Sequence, residues 1–287
     1  MNQPIDILET FWKHKFFRPL QEAIIMHVLS GNDTFVLMGT GSGKSICFQI
    51  PALTKDGICI VISPLIALMN NQVAELKKRN IKAMALSNSY NHSELSTLLD
   101  NCIYGNYKFL YMSPERLQQE IIQERIKQMD VNLIAIDEAH CISQWGHDFR
   151  PAYKNIHVLR NLKPNVPCIA LTASATQNVV NDILKELKFE NGKVFKQTFS
   201  RDNLAFMVFE TEDKMYKIKR ILKKSPSSSI IYVRNKKSTV DISNALNNSS
   251  LSATHYHGGL STDEKQQNFS DWMNNRSQVM VATNAFG

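Results

Sequence analysis

The sequence predicts an α/β protein of two units, each with a parallel sheet that is flanked by helices. Short apolar runs rich in β-branched residues alternate with longer amphipathic stretches along the chain, and this alternation is typical of parallel strand–helix units. The run at residues 133–136 is apolar at every position, as expected of a strand that is buried on both faces of a sheet. A polar break at residues 199–203 separates a first series of elements from a second.

The first series contains predicted strands at residues 34–37, 58–63, 83–86, 109–112, 133–137 and 168–171. Helices are predicted between them, for example at residues 44–53, 66–79 and 121–128. The second series has predicted strands at residues 204–210, 230–233, 253–256 and 278–283, and predicted helices at residues 215–223, 240–247 and 263–274. We therefore place one domain at residues 1–200 and a second at residues 201–287.

The last predicted strand lies at the very end of the chain. A strand of a parallel sheet normally leads into a crossover helix, and about ninety residues is short for a closed α/β domain. We therefore expect the second unit to be incomplete and the chain to be truncated at its C-terminus. The alternative is a naturally small C-terminal unit, which would leave an apolar strand edge exposed.

The charge balance is basic, with 33 Lys and Arg against 26 Asp and Glu and a formal net charge of +7. This excess suits a polyanionic partner such as nucleic acid, although many soluble proteins are equally basic. The five cysteines are widely spaced without a C-x-x-C pair, which argues against zinc and favours reduced thiols in a cytosolic protein. The sequence shows no signal peptide and no apolar run of ~18 residues, so we expect a cytoplasmic protein without a membrane partner.

A glycine-rich segment, Gly-Thr-Gly-Ser-Gly-Lys-Ser, lies between a predicted strand and a predicted helix. Glycines let the backbone curl so that successive N–H groups face an anion, and the helix adds its positive N-terminal end. In this pattern Lys44 reaches the β- and γ-phosphates of a nucleotide, and the Ser45 hydroxyl ligates Mg²⁺. A plain turn before a helix is the alternative, and Met38 stands where the pattern usually begins with Gly or Ala. The candidate phosphate-binding residues are Gly39, Thr40, Gly41, Ser42, Gly43, Lys44 and Ser45.

Two adjacent carboxylates, Asp137 and Glu138, directly follow the apolar strand and open the tetrapeptide Asp-Glu-Ala-His. The carboxyl ends of parallel strands form the edge at which such sheets bind ligands. We assign Asp137 to Mg²⁺ and Glu138 to the orientation and deprotonation of the attacking water. His140 can contact the γ-phosphate side or relay its state to DNA-binding loops. Alone, the tetrapeptide could be a polar strand end, but together with the glycine-rich segment it indicates an NTPase.

The run Asp-Glu-Ala-His-Cys-Ile-Ser-Gln-Trp-Gly-His-Asp-Phe-Arg-Pro at residues 137–151 resembles the acidic box and aromatic-rich loop of RecQ helicases, members of helicase superfamily 2. Other D-E-A-H helicases lack the continuation from Gln144 to Arg150. The resemblance covers essentially the whole chain in motif order. It implies two RecA-like P-loop NTPase units and an ATP-dependent DNA helicase. Such an enzyme translocates on single-stranded DNA and unwinds duplexes in the 3′ to 5′ direction, with single-stranded and forked DNA as partners.

In the RecQ family the aromatic-rich loop couples DNA contact to hydrolysis. Trp145 and Phe149 can stack on bases and Arg150 can pair with a phosphate, although core packing is the alternative for the two aromatic residues. Residues 63–69 and 113–116 resemble loops that grip the DNA backbone, and residues 171–176 resemble the element that links hydrolysis to domain movement, or a plain helix cap. The DNA-binding and coupling residues that the resemblance implies are Ser63, Pro64, Arg116, Gln144, Trp145, His147, Phe149, Arg150, Thr172, Ser174 and Thr176.

Residues 17–21 resemble the adenine-recognition element of the same family. Gln21 can read the adenine edge by donating and accepting a hydrogen bond, and Arg18 can stack or pair nearby. His14 stands where the family often has an aromatic residue that stacks on the base. Without the resemblance, this segment would be an ordinary helix start.

Residues 254–260 and 281–287 resemble second-domain motifs of the family. The last motor motif of the family, with the arginine that reaches the γ-phosphate, has no counterpart in this sequence, and neither do its zinc-binding and winged-helix regions. Such an arginine can be worth ~10³-fold or more in rate in related ATPases. We therefore expect these 287 residues, as a monomer, to bind Mg-ATP and single-stranded DNA weakly and to turn over ATP poorly.

Three other functions are weighed against a RecQ-type motor. A nucleic-acid-binding fragment whose ATP site is only a conformational switch is disfavoured for the full-length protein by the intact Glu138. An RNA helicase of the same superfamily is disfavoured by the loop from Gln144 to Arg150. A simple P-loop kinase would not need the second strand–helix unit. The RecQ-type interpretation places the protein in the cytoplasm, associated with the nucleoid.

Overall fold

A seven-stranded parallel sheet forms the centre of the first unit. The computed structural model describes residues 3–86, 90–146, 148–189, 192–198 and 203–286, and the chain divides into the units Met1–Asp202 and Asn203–Gly287. The strands of the first unit are β1 (Thr34–Leu37), β2 (Ile58–Ile62), β3 (Ala83–Leu86), β4 (Phe109–Met112), β5 (Val131–Ile136), β6 (Cys168–Thr172) and β7 (Lys193–Lys196). They pair in the order β3-β4-β2-β5-β6-β1-β7, and all these pairings are parallel.

Helices cover the sheet of the first unit on both faces. They are α1 (Pro4–Ile7), α2 (Gln21–Leu29), α3 (Ile46–Thr54), α4 (Ile66–Lys78), α5 (His92–Tyr104), α6 (Glu120–Gln128), α7 (His157–Leu162) and α8 (Gln177–Glu186). In β1, Phe35 and Leu37 pack into one buried cluster, whereas Val36 and Met38 pack into another on the opposite face. Burial on both faces explains why the central strands are apolar at nearly every position.

The predicted strands of the first unit are confirmed, with boundaries that differ by at most two residues. The sequence did not predict β7, whose residues read Lys-Val-Phe-Lys. This strand pairs with β1 at the edge of the sheet, and only its Phe195 is buried. Charged side chains are common on edge strands because they discourage pairing with other chains, and they hide the apolar pattern of a strand.

The carboxyl ends of the seven strands lie along one edge of the sheet because the strands are parallel. Along this edge, β1 leads through residues 39–45 into α3, and β5 leads into Asp137 and Glu138. Only β6 separates β1 from β5 in the sheet. The two segments that carry candidate nucleotide chemistry therefore lie at the same edge, which is where open parallel sheets bind their ligands.

An ion pair fixes β1 and β6 at the opposite edge of the sheet. The carboxylate of Asp33, just before β1, accepts two hydrogen bonds from the Arg160 guanidinium, at 2.6 and 2.9 Å. One of its oxygens also accepts the Cys168 N–H at 2.8 Å, at the first residue of β6. Charge-assisted, two-pronged contacts of this kind are strong and geometrically specific, so they hold the two strands in register.

The second unit contains a three-stranded parallel sheet and three helices. Its strands β8 (Ser229–Tyr232), β9 (Ala253–Tyr256) and β10 (Val279–Ala282) pair in the order β8-β10-β9. Its helices are α9 (Lys214–Lys224), α10 (Lys236–Asn247) and α11 (Thr262–Met273). These elements confirm the predicted strand–helix alternation after the polar break, and their apolar core is small.

The prediction of a strand at residues 204–210 is wrong. None of these residues belongs to a strand, and Phe206 and Val208 are 92% and 99% exposed. An apolar, β-branched run becomes a strand only where a neighbouring backbone edge accepts its hydrogen bonds, and no such pairing exists among the described residues. The segment therefore has the composition of a strand without the partner that would make it one.

No helix in the described part of the chain is both long enough and apolar enough to cross a membrane. All five cysteines are buried and unpaired within the structure, as expected for small apolar side chains in a reduced interior.

Candidate functional site

The glycine-rich segment forms a tight turn between β1 and α3. Gly41 and Gly43 have φ angles of +78° and +81°, a left-handed backbone conformation that residues other than glycine adopt with strain. The Ser42 hydroxyl donates a hydrogen bond to the Gly39 carbonyl at 2.6 Å, which closes the turn. Ser45 is the N-cap of α3 and its side chain makes no capping hydrogen bond, so its hydroxyl can serve a ligand at the positive end of the helix.

Lys44 lies between the turn and the acidic residues. Its ammonium donates a hydrogen bond to the Met38 carbonyl at 3.1 Å, so the side chain folds back over the turn. The charge of Lys44 also lowers the pKa of the Asp137 carboxyl, which places the two groups within electrostatic range of each other. A phosphate bound on the turn would therefore meet this ammonium, as the sequence predicted.

A pocket of about 510 Å³ opens beside the turn. Three predicted adenine-binding residues, His14, Arg18 and Gln21, line it together with Gly43 and Ser45 of the turn. The structure therefore brings the two predicted nucleotide-binding segments, residues distant in sequence, to one cavity. Its volume suits a small-molecule ligand.

Gln21 and Arg18 are fastened to the turn by hydrogen bonds. The Gln21 amide nitrogen donates to the carbonyls of Gly43 and Ser42 at 3.0 and 3.3 Å, while its oxygen accepts the Arg18 N–H at 2.9 Å. The Arg18 guanidinium donates to the Gly41 carbonyl at 2.7 Å. Because both donors of the Gln21 amide are used within the chain, reading an adenine edge would require Gln21 to give up one of its bonds to the turn.

The pocket also contains side chains that the sequence did not single out. Trp12 and Phe16 line it, and Phe16 is 83% exposed, so both offer aromatic faces to a flat ligand. The sequence analysis named only His14, because His14 stands at the position before Arg18 where the family often has an aromatic residue. A π-helical turn, Leu8–Trp12, ends at Lys13 with a left-handed backbone, and this irregular path brings the flanking aromatic residues to the pocket.

Asp137 is a buried carboxylate at the end of β5, with only 7% of its surface exposed. Its oxygens accept the Glu138 N–H at 3.0 Å and the Gln72 side-chain amide at 3.4 Å. Burial, and to a smaller extent the neighbouring Glu138 carboxylate, raise the pKa of Asp137 to about 6, even though Lys44 and the two hydrogen bonds act in the opposite direction. The raised pKa means that the nearby positive charge and hydrogen bonds do not fully compensate the burial of the Asp137 carboxylate.

The donor set fits Mg²⁺. The Asp137 carboxylate and the Ser45 hydroxyl are hard oxygen ligands of the type that Mg²⁺ prefers, and a cation bound between them would supply the positive charge that burial leaves missing. Mg²⁺ commonly uses one or two protein ligands together with substrate phosphates, and the glycine-rich turn that contains Ser45 is the segment predicted to hold phosphates.

Glu138 and His140 form a pair next to Asp137. Glu138 has φ of +48°, a left-handed conformation that is strained for a residue with a side chain and is common at functional positions. Its carboxylate lies 3.2 Å from His140 Nδ1, and the same nitrogen lies 2.9 Å from the Thr172 hydroxyl. Burial lowers the pKa of His140, but contacts with Cys141 and Glu138 outweigh burial and raise the pKa to about 9. Through these two contacts His140 joins the predicted base to the end of β6.

The aromatic-rich loop presents its tryptophan to solvent. Trp145 is 79% exposed, so core packing does not explain it. Phe149 is half-buried, with the Lys154 ammonium 5.7 Å from its ring centre. The Arg150 guanidinium donates to the Pro64 carbonyl at 2.8 Å, which joins this loop to the loop after β2.

The other predicted DNA-contacting residues differ in exposure. Ser63 and Thr172 are completely buried, and their side chains reach a ligand only if the surrounding loops move. Arg116 is half-buried and lies 6.0 Å from the Tyr90 ring. Ser174 is exposed, and Thr176 caps α8 by accepting the Val179 N–H at 3.4 Å, which is the alternative weighed against a coupling role for this segment.

Two members of the aromatic-rich loop remain. Gln144 is exposed next to Trp145. His147 lies outside the described residues, so its predicted role stays a prediction.

Replacing Gly43 with Ala should disrupt the pocket more than replacing Gly41. Both positions have left-handed backbone, but a Cβ at Gly43 would lie 2.6 Å from the Gln21 amide nitrogen, whereas a Cβ at Gly41 meets nothing within 4 Å. The backbone strain, about 1 kcal/mol, is shared, so the difference between Gly43→Ala and Gly41→Ala isolates the collision. Thermal unfolding without nucleotide should show the lower midpoint for Gly43→Ala; equal midpoints would contradict the position of Gln21.

Two family models match this chain. Residues 18–183 match the DEAD/DEAH box helicase family, and residues 213–287 match the helicase conserved C-terminal domain. In fold, the chain resembles the helicase domain of Hef from Pyrococcus furiosus, with a TM-score of 0.68 at 16% identity over 99% of this chain and 88% of that chain.

Curated relatives are more similar in sequence. The chain is 39% identical over 284 residues to the ATP-dependent DNA helicase RecQ of Pasteurella multocida (strain Pm70), which covers 99% of this chain and 45% of that protein. It is 41% identical over 279 residues to the ATP-dependent DNA helicase RecQ of Bacillus subtilis (strain 168), which covers 96% of this chain and 47% of that protein. The chain thus spans about half the length of these relatives. With a family model over more than half of its residues, the chain belongs to the DEAD/DEAH box helicases and, within them, to the RecQ family.

Proposed function

We propose that this chain carries the ATP site of a DNA helicase motor of the RecQ type, which couples ATP hydrolysis to movement along single-stranded DNA and to duplex unwinding. The supporting observation is the meeting of Lys44 and Asp137 at one edge of the sheet, where the charge of Lys44 acts on the Asp137 carboxyl. The pocket beside the turn supports the same proposal because it offers room for a base next to the phosphate-binding segment.

ATP binding follows from the residues around the turn. The base would enter the pocket beside Gln21 and Arg18, and the phosphates would lie on the backbone N–H groups of residues 39–45. Lys44 would leave the Met38 carbonyl and turn to the β- and γ-phosphates. Mg²⁺, held by Ser45 and Asp137, would neutralise part of the phosphate charge when bound.

Hydrolysis would use Glu138 as the base. Its carboxylate would accept a proton from the attacking water as the water oxygen bonds to the γ-phosphorus and the bond to the bridging oxygen breaks. The His140 ring lies 3.2 Å from this carboxylate, so it would hold Glu138 in orientation. Because His140 also contacts Thr172 at 2.9 Å, the state of the base would be transmitted to the segment after β6.

DNA binding would involve the exposed aromatic-rich loop. Trp145 is free to stack on a base, and stacking on aromatic side chains tolerates any sequence. Arg150 links this loop to Pro64, so a displacement of one loop would be felt by the other. Single-stranded and forked DNA as partners, 3′ to 5′ polarity, a monomeric state and association with the nucleoid rest on the family resemblance.

The chain spans about half the length of the RecQ relatives, so we propose an activity for these 287 residues separately. We propose slow turnover for this chain, since it contains no segment like the arginine motif that the resemblance implies, and such an arginine can raise the rate by ~10³-fold or more.

The experiment is a steady-state ATPase assay of the chain with and without single-stranded DNA. Weak, magnesium-dependent turnover is expected, and Lys44→Ala should abolish it because the phosphates lose their cation. Lys127→Ala, which removes an exposed lysine on α6, is the matched control and should leave turnover unchanged. Turnover that survives Lys44→Ala would refute the site, while vigorous DNA-stimulated turnover by the chain would refute the proposed slow rate.

Replacing Trp145 with Ala should weaken binding of single-stranded DNA about tenfold, within the range measured for loss of one stacked base. The free energy of unfolding should be unchanged because Trp145 is 79% exposed. Tyr104→Ala is the control, since Tyr104 is 78% exposed and ends α5, at the other edge of the sheet. Fluorescence anisotropy with a labelled oligonucleotide measures both affinities; equal affinities for the two variants would argue against a role for Trp145.

A further inference from the structure

A row of hydrogen-bonded polar side chains runs through the interior of the first unit to Asp137. The Gln49 amide, on α3, donates to the Tyr111 hydroxyl of β4 at 3.4 Å. The Tyr111 hydroxyl donates to the Gln72 carbonyl oxygen, on α4, at 3.0 Å. The Gln72 amide nitrogen then donates to Asp137 Oδ2 at 3.4 Å. Three separate elements thus contribute one polar side chain each to a path that ends on a carboxylate.

Two members of the row, Gln49 and Tyr111, are buried in an otherwise apolar interior, and Gln72 is half-buried. Gln49 is 5% exposed and Tyr111 is 0% exposed, and Tyr111 is surrounded by the apolar cluster that contains Phe48 and Phe109. Burying amide and hydroxyl groups costs free energy unless they are hydrogen-bonded. Apolar side chains of similar shape would fill this space without that cost, so the polar row needs an explanation beyond packing.

The bonds in the row all point the same way. Burial raises the pKa of the Tyr111 hydroxyl above its ordinary value, so the group is protonated and donates. Because Tyr111 donates to the Gln72 oxygen, the Gln72 nitrogen must face Asp137 and cannot exchange places with the oxygen. A run of donors in one direction stabilises the charge at its end and holds it in one orientation.

The far end of the row reaches the base pocket. Gln49 lines the same cavity as Gln21 and His14, while its amide bonds to Tyr111. The row therefore connects the wall of the pocket to the carboxylate that the proposed function assigns to the metal.

Tyr153 makes a useful contrast. Its hydroxyl donates to the main-chain carbonyl of Asp137 at 3.0 Å, and it is as deeply buried as Tyr111. Tyr153 thus fixes the backbone of Asp137, whereas Gln72 contacts the carboxylate itself. The two tyrosines separate a general structural effect from an effect on the orientation of the side chain.

We propose that Gln72 and Tyr111 are positioning residues for the Asp137 carboxylate: Tyr111 fixes the Gln72 amide, and Gln72 holds the carboxylate where a nucleotide-bound Mg²⁺ meets it. This inference rests on the proposed function of the site. Neither residue would touch the nucleotide or the metal. Tyr111 would act on Asp137 only through its hydrogen bond to Gln72.

The test is equilibrium binding of a fluorescent ATP analogue to the intact chain, titrated with Mg²⁺ and repeated in EDTA. Gln72→Leu should raise the Mg²⁺ concentration for half-saturation about tenfold, the effect of one hydrogen bond to a charged group, with unchanged affinity in EDTA. Tyr111→Phe should raise it roughly threefold. The double variant should match Gln72→Leu alone, because Tyr111 acts only through Gln72. Tyr153→Phe is the matched comparison: it removes a backbone contact of Asp137 and should shift the Mg²⁺ dependence less than Tyr111→Phe does.

Several results would overturn the proposal. These are a wild-type Mg²⁺ dependence in Gln72→Leu and Tyr111→Phe, additive effects in the double variant, an equal shift in Tyr153→Phe, or a loss of affinity in EDTA as large as that in Mg²⁺. Tyr111→Phe preserves shape and decides the question alone if Gln72→Leu fails to fold. Nucleotide binding that is absent from the wild type, or unaffected by Lys44→Ala, would instead refute the proposed function on which the inference rests.

Discussion

The parallel direction of the strands is the constraint on which the site depends. Each strand of the first sheet ends at the same edge, so loops from distant parts of the sequence meet there without any long excursion of the chain. The order β5-β6-β1 sets the distance between the phosphate-binding turn and the acidic box to two strand spacings. The Asp33–Arg160 pair and its bond to Cys168 N–H fix the neighbouring strands from the opposite edge, so the geometry of the site rests on the rigid part of the unit.

This constraint has an electrostatic consequence at Asp137. The fold buries a carboxylate beside a second carboxylate, and both effects raise its pKa. Lys44 and the Gln72 amide offset part of that penalty, but the pKa of about 6 means that the balance is incomplete. A divalent cation, which the proposed function assigns to this carboxylate, would supply the positive charge that is missing. Without a ligand, the site therefore carries an electrostatic penalty at Asp137, and binding of a cation would relieve that penalty.

Two contacts join this charged centre to the surfaces that would meet DNA. His140 lies between Glu138 and Thr172, and Arg150 lies against the carbonyl of Pro64. The first connects the base to the segment after β6, and the second connects the aromatic-rich loop to the loop after β2. The residues proposed for hydrolysis and those proposed for DNA contact thus lie at neighbouring strand ends of one sheet, which would give their coupling a physical basis.

The sequence predicted the parts of this structure that carry a local signal. Buried strands of a parallel sheet are apolar throughout, and the Gly-Lys-Ser and Asp-Glu-Ala-His segments stand at their ends, so the strands of the first unit and the edge of the site could be inferred. Strand β7 could not, because an edge strand with two lysines has no such pattern. The run at 204–210 has the composition of a strand but does not form one. A strand needs a hydrogen-bonded partner, and composition alone does not show whether a partner is present.

The contacts that orient the site were beyond local patterns. Gln49, Tyr111 and Gln72 lie in segments whose apolar periodicity predicts helix or strand, and nothing near them in sequence shows that they meet 39 and 62 positions apart. Likewise, spacing from Arg18 indicated His14 but could not indicate Trp12 and Phe16, because the π-helical turn Leu8–Trp12 changes which side chains face the pocket. Long-range hydrogen bonds and irregular backbone require the three-dimensional structure.

A crystal structure of the chain with Mg²⁺ and a non-hydrolysable ATP analogue is the most direct measurement. The expected result has the phosphates on the backbone of residues 39–45, the base in the pocket beside Gln21, and the metal next to Ser45 and Asp137, with Gln72 still bonded to the Asp137 carboxylate. A nucleotide bound elsewhere on the chain, or a metal that approaches neither Ser45 nor Asp137, would contradict the assignment of this sheet edge as the ATP site.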